Sequence, residues 1–292
     1  MKEQPVTINL YYVTDPICSY CWAFEPVLHR FLEQFGDYFN FHTVMGGLLE
    51  KWNDGPIDPE HGIYKPADVA SHWKEVSEIS RMPIDGSLMI DNPITSSYPP
   101  SRVFKIIQKY YGDAKAFAYL RRAREELFVC NKNISNVAVN IEIIHKLNLD
   151  GTAIAHEAET PFGQKLLEED FSLARSLGAA VFPTVVFVNE MKEGVKIVGN
   201  HPLEDYINAL RKVLKIEDIK PKKVPALSYF MNHDKLLFSK EMEVMYDMEQ
   251  SEVKSFIQKG LRKGHYELHH FLGELCLTSV WRMKEIHKQK SD

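Results

Sequence analysis

Asp15-Pro16-Ile17-Cys18-Ser19-Tyr20-Cys21-Trp22-Ala23-Phe24-Glu25-Pro26 stands where the hydrophobic pattern of the chain changes its period. Before it, Val6 to Val13 carry the β-branched and aromatic bias of a buried strand; after it, Trp22, Val27, Leu28, Phe31 and Phe35 recur at helical spacing. The two cysteines therefore sit at a strand-to-helix junction. If Cys18 caps that helix, the unpaired amides of the first turn and the positive end of the helix dipole stabilise its thiolate and lower its pKa. Cys21 lies one turn deeper, placed to attack a mixed disulfide at Cys18 and release the partner. On this reading Cys18 is the nucleophile and Cys21 the resolver. Ser19 and Tyr20 add no positive charge between them, which argues against an extremely oxidising pair and leaves the direction of electron flow open. Glu25, four residues after Cys21, is a candidate proton relay to the resolving thiol, with a solvated surface glutamate as its alternative. Asp15 reads as a cap of the helix-forming turn and His42 as structural.

Working outward, Asn40 to Met45 forms a second strand candidate that ends at Gly46-Gly47, giving a β-α-β beginning. From Ala67 to Gly178 the pattern is helical, broken at Pro83, at Tyr98-Pro99-Pro100 and at Asn131 to Asn136. Strand signals return at Thr184 to Val188 and Val195 to Val198, joined by a Lys192-Glu193-Gly194 turn and followed by a helix from Pro202 to Leu214. The expected architecture is one α/β domain over residues 1–218, split by a helical insertion at about 67–178, with Lys51 to Lys65 as a surface loop. Ile219-Lys220-Pro221-Lys222-Lys223-Val224-Pro225 reads as an exposed linker over 219–225. Residues 226–292 then offer helices at Leu227 to Met231, Ser239 to Tyr246 and Ser251 to Lys263, and alternation at His265 to Phe271 and Leu275 to Trp281. Helix, turn, helix and two strands describe a small winged-helix-like α+β module.

At 292 residues and 45% hydrophobic content the chain can bury one large or two modest cores. A formal charge of -5 gives it no basic excess with which to hold a phosphate backbone. The tail from 225 to 292 balances ten basic against ten acidic residues, and Glu249 and Glu252 begin its would-be recognition helix. Nucleic acid is thus not an expected partner, and the tail reads as a protein-binding or dimer contact. No segment reaches the ~18 continuous apolar residues of a membrane span, and nothing near Met1 resembles an export signal, so a cytoplasmic setting without membrane contact is expected. Among the four cysteines, Cys130 and Cys276 follow apolar patterns and read as core. Zinc at Cys18 and Cys21 stays an alternative, as do two inert buried thiols, but no second C-x-x-C or histidine pair accompanies them. His265, His269 and His270 read as exposed strand residues; no metal and no external cofactor is expected.

The quoted run, with Met45-Gly46-Gly47-Leu48 and Ser96-Ser97-Tyr98-Pro99-Pro100, resembles the active-site run and recurring segments of cytosolic DsbA-like (FrnE-type) thiol-disulfide oxidoreductases over roughly residues 6–215. The resemblance implies a thioredoxin fold carrying a helical insertion, and a thiol or disulfide substrate. It also implies a cis proline facing the cysteines. Gly178-Ala179-Ala180-Val181-Phe182-Pro183-Thr184 resembles that loop, which places the cis bond at Pro183 and makes Phe182, Pro183 and Thr184 the substrate-binding backbone. With its tail, from Leu237 to Val280-Trp281, nearly the whole chain resembles the Firmicute ClpXP adapters that deliver the regulator Spx for degradation. It departs from them in lacking the His/Cys-rich N-terminus that some carry. Two functions are therefore expected. One is a thiol-disulfide oxidoreductase acting through Cys18 and Cys21, toward which the intact C-x-x-C followed by Trp22 leans. The other is an adapter binding an Spx-like regulator and ClpXP, in which the cysteines are dispensable or tune binding.

Overall fold

The computed structural model describes residues 8–52, 62–231 and 236–279. Val6 and Thr7 of the first expected strand, most of the Lys51 to Lys65 loop, and Val280 and Trp281 lie outside the described residues. β1 (Ile8–Thr14), α1 (Ser19–Phe35) and β2 (Asn40–Met45) form a β-α-β unit in which β2 returns parallel to β1. A parallel return needs a crossover, and α1 supplies it. The insertion contains α2 (Pro66–Ser80), α3 (Leu88–Asp91), α4 (Tyr98–Tyr111), α5 (Asp113–Phe128), α6 (Val137–His145), α7 (Gly151–Ala158) and α8 (Pro161–Ser176). Tyr98-Pro99-Pro100 does not break a helix as expected but opens α4. In a first turn the missing N–H groups have no intrahelical acceptor to lose, and the proline φ is already helical. β3 (Thr184–Asn189) and β4 (Gly194–Val198) make the antiparallel hairpin, and α9 (Leu203–Leu214) follows. The sheet order is β2-β1-β3-β4 with β3 antiparallel to β1, the thioredoxin arrangement.

Successive strand residues face opposite sides of the sheet. Ile8, Leu10 and Tyr12 accordingly pack with Phe24, Leu28 and Phe31 of α1 and with Tyr206 and Leu210 of α9. Val13 and Val44 instead meet Ala174 and Ala179 at the end of α8. Trp22 turns away from the sheet into the helical insertion, where its indole N–H donates to the Pro83 carbonyl at 3.0 Å. The helix that carries the cysteines is thus buried on two sides.

The tail comprises α10 (Leu227–Met231), β5 (Leu237–Phe238), α11 (Ser239–Tyr246), α12 (Gln250–Gly260), β6 (Tyr266–Phe271) and β7 (Glu274–Ser279), with an antiparallel sheet in the order β5-β7-β6. Two residues are too few to show a strand period, so β5 carries no sequence signal. The connection is exposed from Lys220 to Lys223, as expected, and is nonetheless strapped down. Ile219 is buried, the Lys222 N–H donates to the Gln34 carbonyl at 2.8 Å, and the Lys220 N–H donates to the Tyr38 hydroxyl at 2.9 Å. Leu236, Phe238 and Cys276 are buried in the same apolar cluster as the insertion helices, and the Phe238 ring meets Trp22 edge-on at 6.0 Å. Arg81, in the left-handed conformation after α2, forks onto Glu243 of α11 and Glu274 of β7 at 2.8–3.0 Å. Phe238→Ala is expected to destabilise the protein by about 3–5 kcal/mol, the usual cost of truncating a buried aromatic. The same change should speed tryptic cleavage at Lys222 and Lys223; wild-type cleavage rates would show that Phe238 does not hold the tail.

Candidate functional site

Cys18 is the N-cap of α1: its backbone is extended, its N–H donates to the Asp15 carbonyl at 3.2 Å, and its sulfur accepts the Cys21 N–H at 3.1 Å. Both thiols are buried, Cys18 at 4% and Cys21 at 0% exposure. The Phe182-Pro183 peptide bond is cis, and the Cys18 thiol donates to the Phe182 carbonyl at 3.7 Å. The Thr184 hydroxyl donates to the Val181 carbonyl at 2.6 Å, closing the loop before β3. Cys18 and Phe182, 164 positions apart, thus meet across the end of the sheet. Tyr20, Leu48 and Val181, on the three segments bordering this meeting point, expose much of their apolar surface. Met45-Gly46-Gly47-Leu48 has a steric role here. A Cβ on Gly46 would fall 2.1 Å from the Phe182 ring, and one on Gly47, whose φ is +75°, 2.6 Å from Phe171. The ring that carries the cis loop occupies the space a side chain at Gly46 would need.

Asp15 ties the motifs together. One carboxylate oxygen accepts the Ile17 N–H at 3.0 Å; the other accepts the Leu48 N–H and the Ser97 hydroxyl, both at 2.8 Å. Its side chain thus stabilises the loop before the helix and not the helix end itself, which Cys18 caps. Burial pushes the Asp15 carboxyl up to about 6 against the pull of those three donors.

Below the cysteine loop lies a run of charge that the sequence reading passed over. Arg121, Arg122, Arg124, Glu125 and Glu126 of α5 are all buried. Arg124 donates to Thr14 Oγ1 at 2.5 Å, to the Asp15 carbonyl at 3.0 Å and to Glu25 at 2.8 Å. Arg121 donates to Glu25 at 2.5 Å, to Glu125 at 2.8 Å and to Glu241 of the tail at 2.8 Å and 3.0 Å, and stacks over the Trp22 ring at 4.7 Å. Glu25 is therefore not a solvated surface residue. Burial raises its pKa, but the Arg121 and Arg124 guanidiniums outweigh that and hold it below the ordinary value, the reverse of what a proton carrier near neutral pH needs. Glu241 is drawn down to about 2, because Arg121 and His29 overcome its burial.

The thiols do not divide as expected. Burial and the facing Cys21 push the Cys18 thiol above the ordinary value. Cys21 is also opposed by burial, but the Cys18 thiol, the Arg124 guanidinium and the Thr14 hydroxyl together draw it below. The cap amide is one donor against burial and a facing thiol, so the helix end by itself does not lower Cys18. Of the other candidates, His42 bonds Asn9 at 3.0 Å and stacks on Tyr11. Cys276 is core, and Cys130 sits half-buried after α5. His265 precedes β6, and His269 within it pairs with Glu267 at 3.1 Å. Glu25, His29 and Glu241 are the one cluster of potential metal ligands among the described residues, with ligating atoms within 4.8 Å of one another, and Arg121 already balances both carboxylates. Among the described residues no helix is long and apolar enough to cross a membrane.

Comparison with known proteins gives two kinds of likeness. The thioredoxin family model matches residues 11–208. The ClpXP adapter protein SpxH of Halalkalibacterium halodurans is 31% identical, over 91% of this chain and 86% of its own length. The ClpXP adapter protein SpxH of Bacillus subtilis is 28% identical, over 86% and 82%. Among solved structures, the cytosolic disulfide reductase DsbM from Pseudomonas aeruginosa superposes with a TM-score of 0.53 at 20% identity, over 71% of this chain and 95% of its own. That last likeness is one of fold.

Gly46→Ala should destabilise the protein by about 1–3 kcal/mol through overpacking against Phe182. It should also speed alkylation of Cys18 by iodoacetamide as the loop moves off the sulfur; an unchanged rate would show that the ring does not hold the loop. Asp15 gives a pH signature. The folded protein binds its proton more tightly than the unfolded chain, so stability falls as pH rises from about 4 to about 6, by about 3 kcal/mol, and is level above. Urea unfolding of wild type and Asp15→Asn across pH 4–7 should diverge in that window, and parallel curves would show an ordinary carboxyl.

Proposed function

This chain belongs to the thioredoxin family, and from that membership and its adapter relatives we propose that it is a ClpXP adapter that binds an Spx-like client and presents it to the protease. One observation carries the reading. The adapter of Halalkalibacterium halodurans matches 91% of this chain, so the likeness runs into the tail, whereas DsbM is matched along 95% of itself yet covers only 71% of this chain. What the reductase lacks is about the length of the tail. Here the tail is welded to the cysteine helix by Arg121 and Phe238 and to the end of α2 by Arg81, which gives a client two surfaces in a fixed relation. A fixed surface lowers the ordering cost of binding. An adapter of this kind works in the cytoplasm, with the client and the protease as its partners.

A second reading rests on a separate geometry. Cys18 at the helix N-cap, Cys21 one turn deeper and the Phe182 carbonyl of the cis loop at 3.7 Å form an arrangement suited to dithiol-disulfide exchange. In this reading Cys18 attacks, Cys21 resolves, and Phe182, Pro183 and Thr184 align a substrate strand. The two readings part on one variant. In Cys18→Ser/Cys21→Ser, client turnover by purified ClpXP should stay within about twofold of wild type while any reduction of a disulfide substrate is abolished. Loss of client turnover in a folded double variant would make the thiols part of the adapter function. If the wild-type protein fails to accelerate client turnover at all, the adapter reading falls.

A further inference from the structure

Arg124 is fully buried beneath the cysteine loop, and its surroundings are unusual for a structural arginine. Among the described residues its one carboxylate partner is Glu25, at 2.8 Å, and Glu25 is already shared with Arg121 at 2.5 Å. Arg121 has Glu125 and Glu241 besides, whereas Arg124 has Glu25 alone. The rest of its fork is spent on neutral acceptors around the cysteines: Thr14 Oγ1 at 2.5 Å, the Asp15 carbonyl at 3.0 Å and, more weakly, the Tyr12 hydroxyl at 3.5 Å. The same Asp15 carbonyl accepts the Cys18 N–H, so Arg124 grips the turn that presents the pair. Its buried Nε–H has no acceptor among the described residues. A buried cation is costly unless negative charge and hydrogen-bond acceptors answer it.

We infer that Arg124 is a positioning residue for the dithiol: its guanidinium fixes Thr14 and the Asp15 carbonyl under the cysteine loop and supplies the positive charge that answers a thiolate at Cys21. The inference rests on the dithiol reading of Cys18 and Cys21. In that chemistry the Cys18 sulfur attacks one sulfur of a substrate disulfide, a mixed disulfide forms, and the other substrate sulfur leaves as a thiol. Cys21, as thiolate, then attacks Cys18 of the mixed disulfide. The Cys18–Cys21 bond forms, the second substrate thiol leaves, and the two protons lost by the cysteines end on the two substrate thiols. The substrate gains two electrons and the pair loses them. Arg124 acts on the second attack, and it also favours the reduced pair, which makes the pair a stronger oxidant than an uncharged floor would. The charged and titratable groups around Cys21 are Cys18 and Glu25 on the helix, Tyr12 and Asp15 on the strand and its loop, and Arg124 on α5; of these Arg124 alone is cationic.

The test is the thiolate absorbance at 240 nm against pH, read in a Cys18→Ser background so that Cys21 alone titrates within the pair, for Arg124, Arg124→Gln and Arg124→Lys. The expected result is at least about a tenfold fall in the ionisation constant of Cys21 in Arg124→Gln, with partial recovery in Arg124→Lys. With both cysteines present, the glutathione equilibrium of Arg124→Gln should shift towards the disulfide. A purely structural arginine would leave a folded glutamine variant titrating as wild type, and that result overturns the inference. Should Arg124→Gln not fold, Arg124→Lys is compared with wild type directly; a smaller upward shift of the Cys21 titration supports the role and no shift overturns it. These readouts need neither client nor substrate. A wild-type protein without disulfide exchange would therefore sink the dithiol reading while leaving the effect of Arg124 on Cys21 separately measured.

Discussion

Arg121 is the constraint on which the rest of this structure depends. Its guanidinium, almost wholly excluded from water, reaches Glu25 on the cysteine helix, Glu125 on its own helix and Glu241 in the tail, and also bonds the Leu236 carbonyl where the tail enters. A buried charge is tolerated only when its partners and hydrogen bonds are in place. Three parts of the chain, distant in sequence, must therefore arrive together. Glu25 passes the requirement on to Arg124, and Arg124 to Thr14 and Asp15 beneath the cysteines. Trp22 is fixed by the same group, lying under Arg121 on one side and against Phe128 and Phe238 on others.

This arrangement packs the tail and the cysteine loop into one unit. The tail's apolar contribution, Leu236, Phe238 and Cys276, completes the core of the insertion, while its charged contribution, Glu241, completes the buried network. Apolar burial supplies the larger favourable term, and the ion pairs select one way of docking, because any other would strand a charge. The adapter relatives share this extended length with the chain, and the reductase of similar fold does not.

Much of the fold is legible in the chain itself. The change from strand to helix period at Cys18, the second strand at Asn40–Met45 and the hairpin after Pro183 follow from periodicity and turn chemistry, whereas the sheet order is expected from the family resemblance. The proline pair at Tyr98-Pro99-Pro100 was ambiguous for a physical reason. The same residues end one helix or begin another, and only the neighbouring Ser97, bonded to Asp15, decides which. β5 is two residues long and exists because β7 lies beside it.

The site divides in the same way. The sequence by itself determined the candidate groups: two thiols one helical turn apart and glycines at 46 and 47, with the proline loop that faces them placed by the family resemblance. Those signals are local, carried by spacing and by residue types whose backbone preferences are strong. Only the tertiary structure decided the electrostatics. Arg121, Arg124 and Glu25 read in the sequence as ordinary charged residues of solvated helix faces, yet all three are buried and opposed to one another. It also decided that burial and the facing thiol raise Cys18, while Cys18, Arg124 and Thr14 draw Cys21 down against its burial. The reason is that a pKa, like the docking of the tail, depends on desolvation and on charges brought close in space, and neither distance is written in the order of residues.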